Sequence, residues 1–125
     1  MSERSVIVTD TGFSEAGPVA ALDLDPGADL DAAAAAIAAA ALVRIGFASF
    51  SDGRGFTLAR RLRARGYRGR LRAAGHVLAD QYAMARRAGF DEVEIPAELA
   101  ARQPEPQWLA RANWRAHDYQ ARLRG

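Results

Sequence analysis

The chain has 125 residues, of which 50% are apolar and 26% are charged, and its formal net charge is +2. This length supports one modest hydrophobic core but not two ordinary domains, so we predict a single folded domain over residues 1–125. Because the chain has no cysteine, disulfides, thiolate metal sites, cysteine-ligated iron–sulfur clusters and cysteine nucleophiles are excluded.

The start of the chain and its longest apolar run both bear on location. Residues 1–8 lack the basic start and the long apolar core of a secretory signal. The longest apolar run, residues 32–43, is too short to cross a bilayer. We therefore expect a cytoplasmic protein with no membrane-spanning segment.

Two strand signals precede the first helix. Residues 5–9 predict a weak strand, and residues 10–12 predict a turn after it. Residues 19–24 are apolar except for Asp23, which favours a second strand. Asp25-Pro26-Gly27 ends this strand and turns the chain.

An alanine-rich helix follows this turn. Asp29 or Asp31 can cap it, and the run from residue 32 to residue 41 is alanine apart from Ile37. An apolar stripe at helical spacing consists of Leu30, Ala34, Ile37 and Ala41. Alanine forms helices readily but buries little area, so this helix should contribute modestly to the core.

A buried strand, a glycine loop and a basic helix follow in that order. Residues 42–49 are apolar except for Arg44, which predicts a strand covered on both faces. Residues 50–56, with glycines at 53 and 55, connect it to an amphipathic helix over residues 56–66. The two glycines allow positive φ angles and close approach of the backbone. The helix start directs unpaired N–H groups to the same place, so an anion can bind there.

The pattern repeats in the second half of the chain. Residues 70–74 predict a strand, residues 78–88 a helix that Gly89 ends, and residues 93–95 a strand that Pro96 closes. Strands and helices that alternate over short links are typical of βαβ units in a parallel sheet. We therefore predict an α/β fold with about four parallel strands, as an open sheet or as half of a barrel.

The C-terminal segment offers a helix to cover this small sheet. One helical stripe after Pro104 and Pro106 consists of Trp108, Ala112, Ala116, Tyr119 and Leu123. We expect Trp108 to pack in the core. Self-association is the alternative way to bury such a face.

In a parallel sheet, all loops from strand to helix leave at the carboxyl edge, where α/β proteins usually bind ligands. Two loops of this chain should meet there, and their candidate ligand-binding residues are Asp52, Gly53, Arg54, Gly55, Gly75, His76, Asp80 and Gln81. Asp52, Asp80 and His76 are the candidates for acid–base catalysis, and Arg54 is the candidate for binding an anion. Turn and helix capping are equally good explanations for Asp52 and Asp80.

Named cofactor motifs are incomplete. Gly53-Arg54-Gly55 begins a dinucleotide fingerprint, but Leu58 stands where the third glycine belongs. The chain has no lysine for a phosphate loop, and His76 and His117 have no metal-ligand spacing. We assign no metal, and the sequence leaves any cofactor unknown.

Charge is segregated along the chain. Residues 1–43 contain one arginine against seven acidic residues, whereas residues 44–76 contain nine arginines against Asp52 alone. This pattern is typical of solvated helix faces, but it can also steer an anionic partner or join two copies of the chain. A homodimer that pairs the acidic and basic thirds is therefore one prediction. No exposed aromatic residues interleave the arginines of the basic helix, so no nucleic-acid motif is present.

The residues around the glycine loop resemble a family of small uncharacterised bacterial proteins that are described as oxidoreductases of sulfite reduction. The resemblance covers about residues 44–94, and it lies in residues 50–63, 66–67, 71–73, 75, 77–78, 80–81 and 87–91. His76 departs from this family, which usually has an acidic residue there. This departure puts an acid–base role for the position in doubt, or it makes the site sensitive to pH near neutrality.

The resemblance implies a role in sulfur assimilation, because genes of that family typically lie beside the gene for assimilatory sulfite reductase. It implies an accessory protein that supports electron transfer to sulfite reductase, which would be a physical partner. The oxidoreductase activity is also implied by the resemblance alone. The residues themselves leave a second function open, a small α/β enzyme or sensor that binds an anionic metabolite at the carboxyl edge.

Overall fold

The computed structural model describes residues 5–15, 20–47 and 53–112. Within them, six strands form one sheet in the order β2-β1-β6-β5-β4-β3. The strands are β1 (Ser5–Thr9), β2 (Gly12–Glu15), β3 (Leu22–Leu24), β4 (Leu42–Phe47), β5 (Arg70–Gly75) and β6 (Glu92–Pro96).

Five α-helices accompany the sheet within the described ranges. They are α1 (Ala34–Ala39), α2 (Arg54–Ala64), α3 (Tyr82–Ala88), α4 (Ala97–Arg102) and α5 (Glu105–Leu109). A 3₁₀ turn at Ala79–Gln81 leads into α3. None of the helices in the described ranges is long and apolar enough to cross a membrane.

The βαβ units predicted from the sequence are confirmed. Strands β3, β4, β5 and β6 are parallel neighbours, and a helix connects each one to the next. Alternate strand residues, such as Val43 and Ile45, join Leu58, Leu62 and Ala85 of the helices in one core cluster. The chain is therefore an α/β protein, and its sheet is mostly parallel.

The beginning of the sheet differs from the prediction of about four parallel strands. The strand at Ser5–Thr9 and the turn after it are confirmed, but this turn leads to β2 as an antiparallel hairpin. Strand β1 also pairs antiparallel with β6, with Val6 opposite Ile95. The physical reason is the length of the connection, because two residues suffice for a hairpin and a parallel crossover needs a dozen or more.

Three phenylalanines anchor the core at the carboxyl edge. The Phe47 ring lies 5.0 Å from that of Phe56 and 5.9 Å from that of Phe90, in tilted and edge-on orientations. All three side chains are buried. Burial of a phenylalanine stabilises a fold by about 1.5–3 kcal/mol, so this cluster contributes substantially to the packing of α2 against the sheet.

The other face of the sheet carries a row of ion pairs, and β4, which was predicted to be covered on both faces, is only half-buried at Arg44 and is exposed at Gly46. Arg72 donates from Nε to Glu92 over 2.6 Å and from Nη1 to Glu94 over 2.9 Å. Arg44 donates from Nη1 to Glu94 over 3.2 Å. Arg72 and Glu92 are buried, and such charges are tolerated in an interior only when they are paired.

Trp108 packs in the core, as predicted. Its exposed fraction is 1%, its indole N–H donates to the Gln103 carbonyl over 2.7 Å, and its ring stands edge-on to Tyr82. The long covering helix is not observed as predicted, because α5 ends at Leu109, before Ala112. The remaining positions of the stripe, residues 116, 119 and 123, lie outside the described residues.

Candidate functional site

A cavity of about 500 Å³ opens at the carboxyl ends of β3, β4 and β5. We call it the edge cavity, and its described lining consists of Asp23, Leu24, Asp25, Pro26, Arg44, Gly46, Phe47, Arg54 and Ala74. The lining combines two arginines and two aspartates with apolar side chains. This edge is the expected position for a ligand in an α/β protein.

Arg54 enters the edge cavity from the first position of α2. A Cβ built on Gly27 would lie 4.0 Å from Nη1 of Arg54, so the guanidinium group stands beside the turn that ends β3. In that turn, the Asp25 carboxylate accepts the Gly27 N–H over 2.9 Å. The predicted anion-binding residue therefore faces a cavity.

Arg44, by contrast, is held by carboxylates on both sides. It donates from Nε and Nη2 to Asp23 over 2.5 and 3.0 Å, and from Nη1 to Glu94 over 3.2 Å. The hydrogen bond from Arg44 lowers the pKa of the Asp23 carboxyl group, although partial burial opposes the shift. Arg44 thus fixes the wall of the edge cavity.

Two of the three glycines in these loops, Gly55 and Gly75, are required by packing around Phe47. Gly53 has φ −74°, and Gly55 is not among the glycines with positive φ, so the expected use of positive φ in this loop is wrong at both positions. A Cβ on Gly55 would lie 2.2 Å from Cζ of Phe47. Gly75 does have a positive φ, +123°, and a Cβ there would lie 2.2 Å from the Phe47 carbonyl oxygen.

The second predicted loop does not contribute to the described lining of the edge cavity. His76 is exposed, and its backbone N–H donates to the Phe47 carbonyl over 3.3 Å. The Asp80 carboxylate accepts from Nη2 of Arg111 over 2.6 Å, and the Gln81 side chain accepts the Leu78 N–H over 3.0 Å. Gln81 therefore caps the turn before α3. Asp52 lies outside the described residues.

Sequence reasoning missed Asp23, Asp25 and Arg44 as residues that line the cavity. A signal was present, because Asp23 and Arg44 are the single charged residues in two otherwise apolar strands. The register places them opposite each other on neighbouring parallel strands. Among the described residues, no group of three or more His, Asp or Glu side chains is arranged to hold a metal ion.

Comparison with known proteins gives one match. A family model described as bacterial protein of unknown function (DUF934) matches residues 21–125. No curated protein and no solved structure matches the chain. The matched range contains the parallel strands and the whole described lining of the edge cavity, and it excludes the β1–β2 hairpin. It agrees with the sequence resemblance in indicating an uncharacterised bacterial family.

Proposed function

We propose that this chain, which belongs to that bacterial family of unknown function, binds a small anion in the edge cavity and that Arg54 holds the anion. The observation that carries this proposal is the position of the Arg54 guanidinium group in the lining of a cavity at the carboxyl edge. A guanidinium group can bind an oxyanion through two parallel N–H donors. Arg44 lies in the same wall, where its donors hold Asp23 and Glu94.

The biological role we propose is that of an accessory protein of assimilatory sulfite reduction, which supports electron transfer to sulfite reductase. The support is the resemblance of the glycine loop and of the segments after it, residues 50–91, to the family described above. In this role, sulfite or sulfate is the oxyanion that fits the proposed site. The oxidoreductase activity that the resemblance implies would require a redox group or partner from outside the chain's own side chains.

Isothermal titration calorimetry with sulfite and with sulfate tests the anion site. We expect wild-type protein to bind one of them, and Arg54→Ala to weaken the binding by about tenfold or more, because one charge-assisted pair is lost. Arg102→Ala is the matched control, since Arg102 is also an exposed arginine but lies in α4, outside the lining. Equal weakening by both variants would show that only net charge matters and would contradict the site.

A deletion strain tests the biological role separately. We expect it to grow poorly on sulfate or sulfite as the sole sulfur source and normally on a reduced sulfur source. We also expect the tagged protein to co-purify with sulfite reductase. Unimpaired growth on sulfate would contradict the role in sulfite reduction, and it would leave the anion site to be judged by calorimetry.

One observation favours the second candidate function, a small α/β enzyme or sensor for an anionic metabolite. The edge cavity, at about 500 Å³, is within the range of about 300–1,000 Å³ that is typical of small-molecule sites. It also has apolar walls at Leu24 and Phe47, which a simple oxyanion would not use. A thermal-shift screen with nucleotides and flavins beside sulfite and sulfate distinguishes the two candidates.

A further inference from the structure

Most arginines of the described chain are engaged by carboxylates. Ion pairs involve Arg44, Arg63, Arg65, Arg70, Arg72, Arg86 and Arg111. Within the described residues, three arginines near one another in sequence, Arg60, Arg61 and Arg68, are exposed, and their side chains have no hydrogen bond or ion pair. The chain therefore concentrates unpaired positive charge on and just after α2.

The outer surface of α2 presents two of these arginines. Leu58, Ala59 and Leu62 face the core, so helical spacing puts Arg60 and Arg61 on the opposite side. The acidic side chains that meet the end of α2 are already engaged, since Asp31 pairs with Arg65 and Asp91 with Arg63. From Gly53 to Ala79 the sequence has no acidic residue at all.

The neighbouring helix α3 extends this surface. Arg63, at the end of α2, donates to the carbonyl of Gly89, at the end of α3, so the two helices end side by side. In α3, Tyr82 and Ala85 are buried, whereas Met84 and Arg87 are exposed on the outer side. Met84 is one of two large apolar side chains that are exposed in the described chain, with 46% of its surface accessible.

We propose that this surface, which we call the basic face and define as Arg60, Arg61 and Met84, is a docking site for an acidic protein. Arginine and methionine are enriched at protein interfaces, and an exposed methionine adapts to an apolar partner group. The complementary partner presents carboxylates around a small apolar centre. This proposal does not depend on the anion site, since none of these three residues lines the edge cavity.

A protein fits the basic face better than a nucleic acid does. Binding of single strands uses exposed aromatic side chains for stacking, and the exposed apolar side chain here is Met84 instead. Arg60 and Arg61 also lie on a helix whose other side is buried in the core, so the helix is fixed in place before binding. A rigid basic surface with one apolar contact selects an acidic patch with an apolar centre.

Fluorescence anisotropy with two labelled glutamate-rich peptides of equal length and charge tests the proposal. One peptide carries a central leucine and the other a central glycine. We expect wild-type protein to prefer the leucine peptide, and R60A/R61A to weaken its binding by about tenfold. The control R102A/R111A makes the same change in net charge elsewhere and should change binding by less than about twofold.

Met84→Gln tests the apolar contact, and we expect it to remove the preference for the leucine peptide while salt still weakens binding of both peptides. Circular dichroism verifies that each variant is folded. Equal losses in the two double variants, no binding by wild-type protein, or no preference for leucine would each overturn the proposal. Tighter binding of duplex DNA than of the peptides, lost in R60A/R61A, would assign the face to nucleic acid and would also overturn it.

Discussion

Arg63 shows how much of the arginine content of α2 is structural. Its guanidinium group donates to the carbonyls of Gly89, Tyr67 and Gly69 over 2.9–3.0 Å and to the Asp91 carboxylate over 2.8 Å. It also lies 5.6 Å from the centre of the Tyr67 ring. From sequence, this arginine belongs to the solvated side of an amphipathic helix, whereas in the structure it joins α2 to the turns before β5 and β6.

We predict that Arg63→Ala lowers the free energy of unfolding by about 2–4 kcal/mol, because three carbonyls lose a charged donor. Arg60→Ala is the control on the same helix, and it should change stability by less than about 0.5 kcal/mol because it removes an exposed, unpaired side chain. Urea denaturation measures both. Similar values for the two variants would mean that the contacts of Arg63 contribute nothing net.

At the start of α2, neighbouring residues have different roles, because Gly55 serves packing and Arg54 serves the proposed anion binding. We predict that Gly55→Val destabilises the fold by about 1–3 kcal/mol, because its Cβ would overlap the Phe47 ring. Gly53→Ala should be tolerated, since a Cβ there meets nothing within 4 Å. Arg54→Ala should leave the stability nearly unchanged. If thermal denaturation shows that Arg54→Ala costs as much as Gly55→Val, Arg54 is a structural clamp and the anion site loses its main residue.

These residues also show which part of the site the sequence could predict. The position of Arg54 at the start of α2 followed from local signals, namely an apolar run, two glycines and the start of a helix. The reason for Gly55 did not, because the Phe47 ring reaches it only after β4 and α2 pack together. The ion pair of Asp80 with Arg111 could not be predicted either. The two residues are 31 apart in sequence, and they meet only because α5 packs where it does.

At the scale of elements, one polar cluster joins the β1–β2 hairpin to α3. The Tyr82 hydroxyl donates to the carboxylate of Asp10, in the hairpin turn, and Arg86 donates from Nε to the same carboxylate over 3.3 Å. Tyr82 is fully buried, so its hydroxyl, the only polar atom of the side chain, needs a hydrogen-bond partner. Asp10 of the hairpin supplies that partner. The cluster fixes the edge of the sheet that the sequence did not predict.

We predict that Tyr82→Phe destabilises the protein by about 1–2 kcal/mol through loss of this hydrogen bond. The loss should appear first in the hairpin, as faster amide exchange in β1 and β2 than in β4. Hydrogen exchange of wild type and variant measures the difference. Uniform acceleration in all six strands would show that the hairpin does not depend on Tyr82.

The same tyrosine predicts a pH dependence. Burial raises the pKa of Tyr82 well above its usual value, and the hydrogen bond to Asp10 raises it further. The folded state holds the Tyr82 proton more tightly than the unfolded state does. The stabilisation that this proton provides is therefore complete below the unfolded-state pKa of about 10, and it is lost as the pH rises above that value. Stability above pH 10 should therefore fall more steeply in wild type than in Tyr82→Phe. If the stability of wild type and of Tyr82→Phe fell equally steeply above pH 10, the prediction would be wrong.

How well each strand or helix could be predicted depends on how many of its residues carry a sequence signal. The parallel strands and α2 were predicted within a few residues, because apolar runs and helical periodicity extend over most of each element. Strand β2 was missed, because only Phe13 of its four residues packs against the core. The first helix begins at Ala34 rather than beside Asp29 or Asp31, because Asp29 instead accepts backbone N–H groups in the turns before it.

At the scale of the whole molecule, the acidic and basic parts of the sequence meet within one chain. Asp23 pairs with Arg44 and Asp31 with Arg65, while Asp10 pairs with Arg86 of α3, which lies beyond the basic third. These pairs use charges that would otherwise be available to join two copies. The homodimer remains a proposal, and apolar contact is now the better mechanism for it.

We therefore predict that ionic strength does not change the oligomeric state of the protein. Screening weakens exposed charge pairs between molecules, with a Debye length of about 10 Å at 0.1 M salt, but it affects apolar interfaces little. Light scattering coupled to gel filtration, at low and high salt and over a range of protein concentrations, measures the mass. A dimer at low salt that dissociates at high salt would contradict the prediction, because charges closed within one chain cannot hold two chains together.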